Sequence, residues 1–249
     1  MHLTVIGAGT VLPAPSRSPS CHLLRLGSRA YVFDMGAGAL SRLAAAGMDH
    51  RDIDTVFISH LHPDHVLDLV TLLQATNATP GWSRTQPLTF IGCRGLRQFL
   101  AELLLIFRDA QPESYRLDVV ELDLGRHVID GMNVEVALTG HTSNSIAFRV
   151  EAGGKVFAYS GDAADTPDLA VVARDADIFL CECSFTAEYQ SEDHLTAEVA
   201  ARIARDAGIE HLVLTHTYPA TRHDQVLAEA RRIFAGRITI ATDGVAVEA

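Results

Sequence analysis

Residues 59–65 read Ser-His-Leu-His-Pro-Asp-His, directly after the apolar run Thr55-Val56-Phe57-Ile58. Three imidazoles and a carboxylate at the end of a buried strand are poor core material, because polar groups buried without partners are costly. A loop needs only one or two polar residues to stay wet. The stretch is therefore either a solvated turn rich in histidine or a grip for something positive. Pro63 pushes His62 toward an extended conformation and itself suits the first turn of a helix. His60 and His62, two apart on an extended segment, face the same way. Asp64 and His65 fall in the first turn of a helix that continues through Val66, Leu67, Leu69 and Val70. One pair points from a strand end and the other from a helix start, which suits two adjacent cations better than one.

The rest of the chain supplies a frame for that cluster. Strand-like runs appear at 3–6, 22–26, 30–34, 54–59, 88–91, 117–122, 126–129, 133–139, 177–181, 211–215 and 237–241, with a hairpin over 145–160 turning at Glu-Ala-Gly-Gly-Lys. Helical patterns cover about 38–46, 64–75, 94–107, 197–207 and 223–234. Residues 76–87, TNATPGWSRTQP, carry the Pro, Gly and polar side chains of a loop and are expected to form a mobile lip. AAAGMDHRDIDTVFISH and IARDAGIEHLVLTH share one plan: a helix ending near Ala-Gly, an acidic link, and an apolar strand ending in Ser/Thr-His. Two halves built alike imply a sheet-on-sheet core with helices on the outer faces. Matching strand ends then converge on one edge, where α/β proteins tend to bind ligands.

Three more ligand-type residues stand at tips of apolar strands: His141 after NVEVALTG, Asp162 after VFAYSG and His216 after HLVLT. Each alone reads as a turn or cap residue. With residues 60–65 they form a candidate cation site.

Composition narrows the class. The 249 residues give ample material for a core, 48% are hydrophobic, and 20 basic against 31 acidic residues leave a formal charge of −11. No Lys/Arg cluster offers a stripe for a polyanion. Cys21, Cys93, Cys181 and Cys183 show neither Cys-x-x-Cys pairing nor a disulfide-framework spacing, which fits a reducing compartment. No apolar run approaches the ~18 residues of a membrane span. The opening MHLTVIGAGT lacks the basic and apolar segments of a secretory signal, so a cytoplasmic protein of one domain over 1–249 is expected. GAGTVL lacks a third glycine, and Pro13 falls where a helix would continue, so it is not a dinucleotide fingerprint.

His-x-His-x-Asp-His at 60–65, followed by His141, Asp162 and His216, with FDMGAG upstream, resembles the metallo-β-lactamase superfamily. The likeness runs from TVIGAGT to ATDG, nearly the whole chain. It implies an α/β fold, a four-layer αββα sandwich with a dinuclear site along one edge. By that resemblance His60, His62 and His141 hold one divalent metal, Asp64, His65 and His216 hold the other, and Asp162 bridges them. Zinc suits such ligands, as do manganese and iron. Asp34 would orient a ligand histidine or its loop. The chemistry implied is hydrolysis by a water or hydroxide held between the metals, with Asp64 as base or positioner.

The branch is narrowed by detail. HTSNS follows at 141–145, where thioester- and lactone-hydrolysing members typically show His-Thr-Pro-Gly-His. His62 stands where the diiron, oxygen-reducing branch has Glu, and no cysteine sits at a ligand position. GAGTVLPAPSRSPS and HLTAEVAARIARDAG are similar to segments of the ribonuclease Z, phosphodiesterase and arylsulfatase-like branch. That likeness gives His194, set just before a helix N-cap at Thr196, the role of helping the departing oxygen. Ribonuclease Z carries a long tRNA-gripping arm between the third His and the bridging Asp. Here Asp162 follows His141 by 21 residues, filled by the hairpin, so tRNA is not expected as substrate. A small anionic phosphodiester is, with RNA kept in view. Ester, lactone or sulfate-ester hydrolysis on the same site is the alternative, and a metal-binding scaffold without turnover is the alternative of another class. A homodimer fits the resemblance. Arg17, Ser20, Ser143 and Asn144 are candidate contacts for the substrate anion, while His2, His22, His50, His127, His211 and His223 read as solvated or satisfied.

Overall fold

Strand β4 (Thr55–Ile58) is buried along its whole length, and its four residues, all β-branched or aromatic, leave it no stable place except the middle of a sheet. A computed structural model of the chain, describing residues 1–189 and 191–249, puts it there. The sheet runs from β1 (His2–Gly7), β2 (Cys21–Leu26) and β3 (Arg29–Met35) through β4 to β5 (Leu88–Gly92) and β6 (Leu117–Glu121). The first three pair antiparallel; β3 through β6 are parallel. A second sheet repeats the plan. β7 (Gly125–Ile129), β8 (Met132–Leu138), β9 (Ile146–Ala152) and β10 (Lys155–Tyr159) pair antiparallel. β10 then runs parallel to β11 (Ile178–Glu182), β12 (His211–Thr215) and β13 (Arg237–Ile240). The chain closes with β14 (Ala246–Glu248), which pairs antiparallel with β1 on the first sheet.

Helices cover the outer faces. α1 (Ala39–Ala45), α2 (Pro63–Val66), α3 (Asp68–Ala78) and α4 (Leu96–Ile106) belong to the first sheet, and Leu43, Leu69, Leu72, Leu73, Leu96 and Leu100 fill the space beneath them. α5 (Pro167–Ala173), α6 (Ala197–Asp206) and α7 (His223–Arg231) cover the second. The result is the four-layer αββα sandwich. Between the sheets Phe33 stacks on Phe57 at 4.8 Å and meets Phe148, Phe157 and Tyr159 edge to face. Such aromatic contacts add about 0.5–1.5 kcal/mol each beyond their area. They interlock side chains from both sheets, so the strand ends carrying the cluster keep a fixed mutual register.

Two elements were not expected from the sequence. α5 is one, although Thr166-Pro167 is a helix-start signal. β14 is the other, three residues whose strand character comes from pairing with β1. The 76–87 segment also differs from expectation. Its first three residues complete α3, and the rest leads into the start of β5, beside the start of β4. The cluster lies at the opposite ends of these parallel strands, so this segment is no lip over it. It is also pinned: Arg84, 3% exposed, pairs with Asp54 and donates to the carbonyls of Gln86 and Pro87. No helix among the described residues is long and apolar enough to cross a membrane.

Candidate metal centre

The seven side chains singled out at strand ends and in the first turn of α2 meet at one edge of the sandwich. His60, His62, His141 and Asp162 each bring one potential ligand atom within 4.8 Å of the others; Asp64, His65 and His216 form a second such group. Asp162 lies between the two. Its Oδ1 is 3.2 Å from His65 Nε2 and 3.4 Å from His216 Nε2, while its Oδ2 is 3.7 Å from the Nε2 atoms of His60 and His141. His141 Nε2 and His62 Nδ1 are 3.1 Å apart, and His216 Nε2 is 3.4 Å from Asp64 Oδ2.

Four of the five imidazoles are oriented through their far nitrogen, a device that fixes which nitrogen presents a lone pair inward. His141 Nδ1 donates to the Asp193 carbonyl at 2.9 Å. His65 Nδ1 donates to Asp34 Oδ2 at 2.8 Å. His60 Nδ1 lies 3.1 Å from Ser59 Oγ, whose own proton goes to Asp34 Oδ2, and His216 Nδ1 lies 3.2 Å from Ser184 Oγ. Asp34 is thus a hub: it also accepts from the Ser59 amide and from the Tyr159 hydroxyl. Asp34 and His216 both adopt left-handed backbone, φ 57° and 54°, a strained conformation that these contacts hold in place.

Charge and satisfaction both ask for a cation here. Asp34, Asp64 and Asp162 are all buried, and among the described residues their ion-pair partners are histidines alone. Buried carboxylates without a compensating positive charge are expensive. His60 Nε2, His65 Nε2 and Asp162 Oδ1 are fully buried and have no hydrogen-bond partner. Burial holds the His60 ring well below the usual imidazole pKa. Burial opposes charge on His65 as well, yet Asp162 and Asp34 outweigh it and push its pKa well up. Burial would raise the Asp64 carboxyl, but His216 and His65 bring it down to about 2. Orphaned nitrogen lone pairs facing carboxylate oxygens are the donor set of a divalent metal centre.

His194 stands beside the cluster. Its ring is 4.6 Å from that of His141 and stacks with His216 at 5.7 Å. Its Nδ1 donates to Glu182 Oε1 at 3.0 Å. Burial would lower the His194 pKa, but the hydrogen bond and charge of Glu182 raise it to about 9. Glu182 is fully buried and also accepts from the Ala163 amide and the Ser184 hydroxyl. Sequence reasoning missed it, because IFLCE reads as a plain strand end. Asp243 was missed too: its carboxylate accepts from the amides of Ala8 and Ser18 and pairs with Arg42, closing the loop after β1.

Two of the four candidate anion contacts, Arg17 and Asn144, are engaged locally. The Arg17 guanidinium holds Thr217 Oγ1, the Tyr218 carbonyl and His223 Nε2. Asn144 donates to the Arg94 carbonyl and accepts from Thr142; Ser143 is exposed and Ser20 buried. Of the histidines read as solvated or satisfied, His22 is neither. It faces the inter-sheet core on β2, has no exposure, and has no hydrogen-bond partner at either ring nitrogen.

Residues 30–217 match the family described as Beta-lactamase superfamily domain. The chain belongs to the metallo-β-lactamase superfamily. It is 30% identical to a protein named Ribonuclease Z from Mycobacterium avium, over 98% of this chain and 96% of that one. It is 28% identical to a Bacillus subtilis protein named Probable metallo-hydrolase YhfI, over 98% of each. The crystal structure of YhfI superposes with a TM-score of 0.88 at 25% identity, covering 100% of this chain and 99% of that one. The short form of human tRNase Z superposes at 0.79 with 22% identity, covering 100% and 99%, a likeness of fold. These superfamily relatives are named as hydrolases, and a metallo-hydrolase is the enzyme class of this chain.

Proposed function

We propose that the chain is a phosphodiester hydrolase working with two divalent cations, zinc first among them, held by His60, His62 and His141 on one side and Asp64, His65 and His216 on the other, with Asp162 shared. The observation that carries this is the geometry of Asp162, whose two oxygens address two separate histidine groups. Cations bound there supply positive charge against a phosphoryl oxygen and make a water acidic enough to attack near neutral pH.

The side chains divide the remaining work. Asp64, ionised and at the cluster's inner rim, accepts a proton or hydrogen bond from the attacking water. His194 is charged on the neutral side of its pKa and donates to the departing oxygen, with Glu182 behind it fixing the ring. Small phosphodiesters stand ahead of precursor tRNA in this reading. The segment between His141 and Asp162 is taken up by β9 and β10, and the whole protein, with a net charge of −11, supplies no basic track. The ribonuclease Z names of relatives weigh on the other side.

The test is a substrate panel with zinc- or manganese-loaded protein: bis(p-nitrophenyl) phosphate, cyclic nucleotides, a precursor tRNA, p-nitrophenyl sulfate, a p-nitrophenyl ester and a lactone. Metal-dependent turnover of a phosphodiester, lost in His60→Ala and Asp162→Ala together with metal content, is expected. Turnover confined to the sulfate, ester or lactone would move the reading to those bonds. Metal retention without turnover of any of them would make the chain a scaffold.

A further inference from the structure

A cavity of about 140 Å³ lies beside the histidine and aspartate cluster. Leu122 and Ile146 are its buried lining; Leu124 and Leu138, 56% and 37% exposed, border it nearer the surface. Ile146 ties it to the cluster. The Ile146 amide donates to the Ser59 carbonyl at 3.0 Å, one residue before His60. A Cβ on Gly161, one residue before Asp162, would lie 3.3 Å from the Ile146 carbonyl oxygen. Ser143 and Asn144, also in the lining, follow closely on His141. The cavity therefore begins within reach of a short chain carried by a phosphoryl group at the cluster. It lies on the flank away from His194. Leu138 ends β8 and Ile146 opens β9, on the β7 side of Asp162, whereas Glu182, which holds His194, ends β11 on the other side.

The lining selects by chemistry. Its apolar members are branched aliphatic side chains with no aromatic ring among them, so nothing there stacks a base. Its larger polar groups are already spent. Asn144 Nδ2 donates to the Arg94 carbonyl at 2.7 Å, Asn144 Oδ1 accepts from the Thr142 hydroxyl at 2.9 Å, and the Arg94 guanidinium pairs with Asp123 at 2.8 Å. A base edge or a sugar hydroxyl placed among the leucines would lose its water without gaining a partner. Leu124 and Leu138 have the opposite need: apolar surface left open is stabilised by whatever apolar group covers it. An apolar cavity of about 150 Å³ lined by Leu and Ile takes a six-carbon hydrocarbon, so a chain of about four to six carbons fills this one.

We propose that this cavity is the subsite for the substituent that stays on phosphorus, and that this substituent is a short alkyl chain. The inference rests on the phosphodiesterase reading, in which the departing oxygen leaves toward His194. The arm that is retained then lies on the other flank of the cluster, where Ile146 and Leu138 stand. The substrate class is an alkyl phosphodiester, with the alkyl group on the product phosphate.

Calorimetric titration of methyl-, butyl- and hexylphosphonate into zinc-loaded protein reads the cavity by binding alone. Affinity is expected to rise about two- to fourfold with each methylene from methyl to butyl. Leu124→Ser combined with Leu138→Ser flattens that rise, and Leu124→Ser alone, at the more exposed position, reduces it. Two diesters that share the p-nitrophenol leaving group then place the chain on the retained arm: kcat/KM for butyl p-nitrophenyl phosphate exceeds that for the methyl analogue about tenfold. Equal affinity across the phosphonates, a rise that survives in both variants, or equal kcat/KM for the two diesters overturns the subsite. Turnover separates this failure from that of the underlying reading. Turnover of both diesters with no dependence on chain length removes the subsite and keeps the hydrolase; a chain-length rise in binding without turnover of either keeps the apolar cavity and removes the phosphodiester chemistry.

Discussion

The hydroxyl of Tyr159 donates to Asp34 Oδ2 at 2.7 Å, joining the second sheet to the first directly beneath the histidine and aspartate cluster. Asp34 in turn holds His65 directly and His60 through Ser59, so one phenol stands behind a histidine of each group. Tyr159→Phe removes only this donor. A buried carboxylate that loses one hydrogen bond costs about 1–3 kcal/mol, to be read in urea unfolding of the metal-free protein. Loss of such a supporting contact typically weakens metal binding about 10–100-fold, to be read by chelator competition. Stability lowered with metal affinity unchanged would mean that Ser59 and His65 hold Asp34 without help.

Glu182 keeps a proton on His194, and its removal has a signed effect. The His194 pKa is raised in the folded protein to about 9, so the stability it contributes is complete below the ordinary imidazole value and is lost as pH rises through 9. Glu182→Gln keeps the shape and removes the charge. The alkaline limb of the turnover profile then moves to lower pH. At pH 8 turnover of an alkyl phosphodiester falls about 10–100-fold, and that of bis(p-nitrophenyl) phosphate falls less, because a good leaving group needs no proton. Equal losses for both leaving groups would count against proton donation by His194.

The parts of the site legible in the sequence are those written in short-range patterns. His60, His62, Asp64 and His65 follow one buried strand within six positions, and His141, Asp162 and His216 each cap an apolar run. What was not legible depends on contacts between distant segments. Glu182 looks like any strand end until His194 folds back against it, and Tyr159 looks like core until Asp34 is found opposite. Residues 76–87 were recognisable as a loop, but the edge on which they lie is set by strand direction, which composition does not encode. His22 could have been suspected: on β2 it shares the inward face of Leu24, where its ring packs edge to face on Tyr159 and neither ring nitrogen has a hydrogen-bond partner.

Gly36 of the FDMGAG segment is required by space. A Cβ there would sit 2.1 Å from the backbone oxygen of Asp64 and 2.6 Å from Pro19 Cβ. Backbone cannot yield cheaply at that distance, so Gly36→Ala displaces the turn that carries Asp64 and His65. Overpacking of this kind costs about 1–3 kcal/mol. The expected outcome is a folded protein of lowered melting temperature that retains less than its full metal complement by elemental analysis. A fully loaded variant would show that the turn can shift without disturbing the cluster.

His22 gives the clearest dependence of stability on pH. Burial dominates its environment and lowers its pKa to about 3, against some help to the charged form from Asp34. An unfolded chain protonates this ring below about 6.5, while the folded chain refuses the proton until about 3. Between those values the unfolded state binds more protons, so stability falls as pH falls, by about 1.4 kcal/mol per pH unit once the unfolded ring is fully charged. His22→Leu removes this term and, because the ring has no hydrogen-bond partner, breaks no polar contact. Urea midpoints measured from pH 7 to pH 4.5 should therefore diverge, the natural protein losing stability faster than the variant as the solution is acidified. Parallel curves would mean that the folded protein accepts a proton on His22 as readily as the unfolded chain does, and that the buried ring has a partner in solution.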